Sequence, residues 1–140
     1  TLYEAEAFGI TRAMAQDLGM ERCLESSQRT YEQMRKRGIR VVIGGDYGFA
    51  WTPQGTNARD IEHFVKLFGY PPSEALQCAT RIGGELMGLD TGLVQEGRLA
   101  DLLLVDGDPL RDVRLLQDKQ RLCLIMKNGA LHKIAPALSR

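Results

Sequence analysis

The sequence predicts an α/β protein whose first part sets helices around one buried strand and whose last part turns to short strands. Three observations carry this reading. Residues 23–37 repeat Leu24, Ser27, Tyr31 and Met34 at helical spacing and stop at Gly38. Residues 39–43, Ile-Arg-Val-Val-Ile, follow at once and end in Gly44-Gly45-Asp46, the near-continuous apolar pattern of a strand covered on both faces. Beyond Leu89 the apolar runs shorten to 102–105 and 122–127, and Asn128-Gly129 is a strong hairpin signal leading into 130–134.

In chain order, residues 2–18 and 23–37 are expected to form two helices. The basic end of the second, Arg35-Lys36-Arg37, needs no ligand, because cations in a last turn complement the helix dipole. Residues 47–56 contain Gly48, Pro53 and Gly55 and read as a loop. Asn57 is placed to cap a helix over 58–68, with Asp60 suiting its first turn. The buried face of that helix is Ile61, Phe64, Val65 and Phe68. His63 falls opposite, among Arg59, Glu62 and Lys66, and reads as a solvated side chain rather than a metal ligand. Pro72 starts a further helix with Ala75, Leu76, Ala79, Ile82 and Leu86 on one stripe and Gly88 as its stop. Gly83-Gly84 inside it costs stability, which predicts a close neighbour there. Arg81 and Glu85, four apart, read as a surface pair. The change of grammar divides the chain into residues 1–88 and 89–140.

The chain has 140 residues, 44% hydrophobic and 26% charged, as in an ordinary globular protein. Its 18 basic residues balance 18 acidic ones, so no long-range field draws it to nucleic acid or an anionic membrane. No apolar run approaches the roughly 20 residues of a membrane helix, and the first residues lack the pattern of a secretory signal. Cys23, Cys78 and Cys123 are odd in number and form no Cys-x-x-Cys pair, which fits a reducing, cytoplasmic compartment. Cys78 reads as a small buried hydrophobe.

One element invites a catalytic reading. Asp46 ends a buried strand and is followed by a loop carrying Tyr47, Phe49, Trp51 and Gln54. In parallel barrels such strand ends face the active site, and a carboxylate there can hold a divalent metal or move a proton. The bland alternative is a turn in which Asp46 satisfies nearby amides, with the aromatics pinning the loop to the core.

Several segments resemble one known family. The run from Gly38 to Asp46 is similar to the last barrel strand of amidohydrolase-superfamily enzymes, where a Gly-Thr-Asp or similar triplet delivers an aspartate. Pro72-Ser73-Glu74-Ala75-Leu76-Gln77-Cys78-Ala79-Thr80 resembles the family's Pro-x-Glu-Ala-Leu-x-x-Ala-Thr helix. Gly92, Gly97, Ala100-Asp101-Leu102, Asp106-Gly107-Asp108-Pro109 and Lys127-Asn128-Gly129 match its tail in order and spacing. Imidazolonepropionases and proline-dipeptidase-like enzymes form the subgroup most resembled.

The resemblance implies the C-terminal part of a (β/α)8 TIM-like barrel over residues 1–88. Residues 89–140 would then be short strands of a small β-sandwich domain. It further implies a metal-dependent hydrolase with a zinc-type metal that cuts carbon–nitrogen bonds of small amides or peptides. Asp46 inherits the role of metal ligand and proton shuttle, while Tyr47, Phe49, Trp51 and Gln54 would line the substrate pocket. Gln54 departs from the family's His-Gly-x-Asn, since this chain reads Gln54-Gly55-Thr56-Asn57. The family's other metal ligands are absent: His63 and His132 are the only two histidines and neither matches. A full barrel takes about 250 residues, so the implied partners are an N-terminal barrel segment and a small-molecule substrate. Relatives commonly form dimers and rings, which leaves a homo-oligomer open. Asp101 and Asp106 read as structural. The rival reading is a non-catalytic binding or assembly module that retains the family frame.

Overall fold

The computed structural model describes residues 9–50 and 52–136. The early part of the helix expected over 2–18 and Trp51 lie outside the described residues. The described chain is α/β and falls into two compact units. One holds the residues up to Ile39 together with Asp46–Thr56; the other holds Arg40–Gly45 and the residues from Asn57 onward.

In the first unit, α1 spans Arg12–Asp17 and the Thr11 hydroxyl accepts the Met14 N–H at 3.2 Å, satisfying one amide the helix start leaves open. Gly19 turns the chain at φ 69° into α2, Met20–Lys36, which starts three residues earlier than its apolar spacing announces. Arg35 and Lys36 occupy its last turn, as the dipole argument requires. Gly38 then reverses the chain and the Ile39 N–H reaches back to the Met34 carbonyl at 2.9 Å.

In the second unit, the strand expected over 39–43 forms no ladder. Residues 41–43 are half-buried, and among the described residues 41–45 make no backbone hydrogen bond. A parallel strand needs neighbouring strands for its bonds, and the only sheet described is antiparallel and built from later residues. Helix α3 spans Arg59–Lys66 and its cap position is Ala58, without a side-chain bond. Ala58 sits at φ −62°, ψ −16°, and the Asn57 carbonyl accepts the Asp60 N–H at 3.1 Å at the start of this helix.

Ile61 and Phe64 are buried. Phe64 meets Phe68 edge-on at 5.7 Å and Tyr70 at 5.1 Å, geometries that aromatic quadrupoles favour. His63 is not solvated: its side chain is only 16% exposed. Burial pushes the imidazole below its ordinary 6.5, with nearby Asp60 opposing the shift.

Pro72 opens α4, Pro72–Ala79, at the position where its missing N–H costs nothing. The single helix expected up to Gly88 is broken into two, because Thr80 leaves helical geometry at φ −121°, ψ −90° before α5, Arg81–Met87. The Thr80 hydroxyl donates back to the Leu76 carbonyl at 2.7 Å, a bond that competes with the helix ladder. This break explains why the stripe fails: Ala75 and Cys78 are buried, whereas Ala79 is exposed and Leu86 is 71% exposed. The close neighbour expected at the glycine pair is there. A Cβ on Gly84 would lie 2.6 Å from the Thr91 carbonyl oxygen, and one on Gly92 would lie 2.4 Å from the Thr80 oxygen.

The strands arise where the apolar runs and the Asn128-Gly129 signal place them: β1 is Leu102–Val105, β2 is Leu122–Lys127 and β3 is Ala130–Ile134. They form an antiparallel sheet in the order β1-β2-β3. Leu103 faces Ile125 across the first pair, and Lys127 faces Ala130 beside the hairpin. Asn128 at φ 48° and Gly129 at φ 78° make the two-residue turn, whose twist suits the flanking strands. Between β1 and β2 a 3-10 helix, Val113–Gln117, lies against α3 and buries Val113. There the Gln117 amide donates to the Glu62 carboxylate at 2.6 Å.

Candidate active site

Asp46 is exposed and its main chain is held by the loop that follows it. The Thr52 hydroxyl donates to the Asp46 carbonyl at 2.9 Å. Thr52 also accepts the Gly48 N–H at 2.8 Å through its carbonyl and donates its own N–H to Phe49 at 3.0 Å. Phe49 and Thr52 thus form an isolated antiparallel bridge. Gly48 sits at φ 118°, a conformation that excludes a side chain in practice. Further on, the Thr56 hydroxyl bonds to the Pro53 carbonyl at 2.7 Å, and the Tyr47 hydroxyl lies 3.5 Å from the Thr56 carbonyl.

The loop therefore gathers Asp46, Tyr47, Phe49 and Gln54 on one short folded segment. Tyr47 is half-buried, Phe49 is 47% exposed and Gln54 is exposed. Gln54 turns its amide toward Gly48, 3.6 Å from where a Cβ would stand. Thr52 was not among the residues the sequence singled out. Its role depends on a hydroxyl reaching a main-chain oxygen six residues back, which has no signature in residue type.

Whether these residues could hold a metal follows from their donors. A catalytic zinc takes three protein ligands, and among the described residues no group of three or more His, Cys, Asp or Glu is gathered. Asp46 can supply one ligand; the described residues do not make a centre. Cys78 does not enter the chemistry, since it is buried on α4 and desolvation raises its thiol above the ordinary 9.0, with Glu74 adding to the shift.

A second constellation is structural and explains why the tail motifs occur together. Asp101 accepts from the Thr91 hydroxyl at 3.0 Å, from the Asn128 N–H at 2.7 Å and from the Lys127 ammonium. Alongside, the Gly129 N–H donates to the Ala100 carbonyl at 3.0 Å. One carboxylate thus ties the segment after α5 and the β2–β3 turn to the start of β1. The Lys127 hydrogen bond, then the Asn128 amide, hold Asp101 below the ordinary 3.8. Asp106 has a similar local task, receiving Arg121 at 3.2 Å.

A depressed carboxylate stabilises the fold above its unfolded value, and that contribution disappears as pH falls through the lower, folded value. For Asp101 the window therefore opens near 3.8 and extends downward. Asp101→Asn is expected to lower the denaturant midpoint at neutral pH and to flatten its decline below about pH 4; a series of midpoints against pH reads both effects.

The model of the Amidohydrolase family matches residues 14–131. Ochratoxinase from Aspergillus niger is 28% identical over 112 residues, covering 78% of this chain and 22% of the relative. The crystal structure of that ochratoxinase superposes with a TM-score of 0.71 at 26% identity, covering 79% of this chain and 25% of the other. The crystal structure of a putative prolidase from Bifidobacterium longum superposes with a TM-score of 0.79 at 27% identity, covering 94% of this chain and 32% of the other. The chain thus spans between a fifth and a third of the length of these relatives. With its tail motifs locked together by Asp101 and a family match running from the first described helix to β3, the chain belongs to the amidohydrolase family.

Proposed function

We propose that this chain is the C-terminal part of an enzyme that hydrolyses carbon–nitrogen bonds of small amides or dipeptide-like substrates. The observation that carries the reading is the family match over residues 14–131, which places Asp46 inside the matched region. Likeness to a putative prolidase and to an ochratoxinase supports the substrate class. Residues 1–88 are assigned to the closing strand and helices of a TIM-like barrel, and residues 89–140 to a small β-sandwich. The absence of backbone hydrogen bonds at 41–45 among the described residues supports this, because residues 41–43 are half-buried and the parallel strands of a barrel would supply partners.

In this reading Asp46 would supply one ligand to a divalent metal, of zinc type, whose remaining ligands would come from a preceding barrel segment. A metal of that kind, when bound, supplies a water that is nucleophilic at neutral pH. Asp46 would accept a proton on its carboxylate and return it to the leaving nitrogen. Tyr47, Phe49, Trp51 and Gln54 are assigned to the wall that receives the substrate side chain. The three free cysteines support a reducing, cytoplasmic setting.

The test is hydrolysis of a panel of X-Pro dipeptides, other dipeptides and N-acyl amino acids by the whole protein. Release of free amine from at least one class is expected; a whole protein that binds these compounds and cleaves none would favour a binding module that kept the family frame.

A further inference from the structure

We infer that Thr52 is a positioning residue for Asp46, holding the main chain from which the carboxylate departs; the inference rests on the catalytic reading of Asp46 given above.

Three hydrogen bonds converge on this one residue. Its hydroxyl donates to the Asp46 carbonyl at 2.9 Å, its carbonyl accepts the Gly48 N–H at 2.8 Å, and its N–H donates to the Phe49 carbonyl at 3.0 Å. The last two close a tight turn. That turn is open to any residue but proline at position 52, because it uses only main-chain groups. The first bond is different. It uses the side chain, and it reaches back past the turn to the peptide plane between Asp46 and Tyr47.

Restraining that plane anchors the Cα atoms of Asp46 and Tyr47, the two points from which the carboxylate and the ring leave the backbone. Few other restraints do this work. Asp46 is exposed, and residues 41–45 make no backbone hydrogen bond among the described residues. Gly44 and Gly45 precede it, and glycines leave the incoming chain with wide conformational freedom. A proton acceptor must be held at its reacting atom to be effective, and a displacement of about 1 Å can cost on the order of 100-fold in rate. A hydroxyl at position 52 supplies that restraint from the side of the loop that also carries Phe49.

The experiment compares wild type, Asp46→Asn, Thr52→Val, Thr52→Ala and Thr52→Ser in the whole protein, reading kcat, KM and melting temperature on the dipeptide or acyl amino acid that it cleaves. Loss of the hydroxyl is expected to lower kcat by roughly 10- to 100-fold, with KM changed less than about twofold and the melting temperature close to wild type. Serine, which keeps the donor, restores kcat. Valine and alanine remove the hydroxyl with and without branched bulk, so a folding defect peculiar to one of them does not decide the outcome. An unchanged kcat in both, or a rise in KM alone, with Asp46→Asn inactive, overturns the inference while leaving the Asp46 assignment standing. An active Asp46→Asn variant overturns that assignment and this inference with it.

Discussion

Asp46→Asn in the whole protein is expected to lower kcat by about 100- to 10,000-fold, the range a positioned acid–base group contributes, while KM stays within about twofold of wild type. Asparagine matches aspartate in shape, so the main-chain bond from Thr52 to residue 46 survives. What disappears is the proton acceptor and the negative charge. A loss confined to kcat would mean that the missing group acts in the transition state and not in binding. Asp46→Glu makes a useful contrast, since it keeps the charge and moves it by one methylene. Partial recovery of metal content without recovery of rate would separate holding the metal from moving the proton. Full activity in Asp46→Asn would falsify the assignment of either role.

Gly92→Ala is expected to be the most damaging of the simple glycine substitutions, destabilising by about 3 kcal/mol or more. Two causes add. Gly92 adopts φ +82°, where an L side chain is strained, and a Cβ there would stand 2.4 Å from the Thr80 oxygen and 2.8 Å from the Arg81 nitrogen. Both are main-chain atoms at the break between α4 and α5, so neither can swing aside. Gly88 separates the two causes: it has φ +65° with nothing within 4 Å of its would-be Cβ. Gly88→Ala should therefore cost only the conformational part, about 1 kcal/mol. Denaturant midpoints of both variants check the difference, and equal midpoints would remove the close approach from the account.

The same pair of segments shows what a sequence can and cannot disclose. The strands were legible to the residue, because the apolar runs at 102–105, 122–127 and 130–134 are bounded by turn residues and Asn128-Gly129 admits few conformations. Pro72 and Gly88 marked helix ends for equally local reasons. The break at Thr80 was not legible. Thr80 itself is compatible with a helix interior, and the close approach of Gly92, twelve residues on, has no local signature. His63 was misplaced for a related reason: periodicity puts it opposite Phe64, but periodicity does not say what covers that side.

The candidate site divides in the same way. Asp46 could be found because a strand-like run ends in Gly44-Gly45-Asp46 and because the surrounding motifs resemble one family. Thr52 could not, since its hydroxyl acts on a carbonyl that every residue possesses. Asp101 was recognised as structural from its place beside a strand, yet the number of groups it joins emerged only when Thr91, Lys127 and Asn128 were brought around it in space.

The central claim is that these residues work as part of a larger hydrolase to which Asp46 contributes a metal ligand, and intact mass with bound-metal analysis of the purified protein tests it most directly. The account predicts a covalent chain or tight complex several times heavier than 15.6 kDa, carrying a divalent metal whose content falls in Asp46→Ala. A well-folded, metal-free protein of 15.6 kDa alone would contradict it.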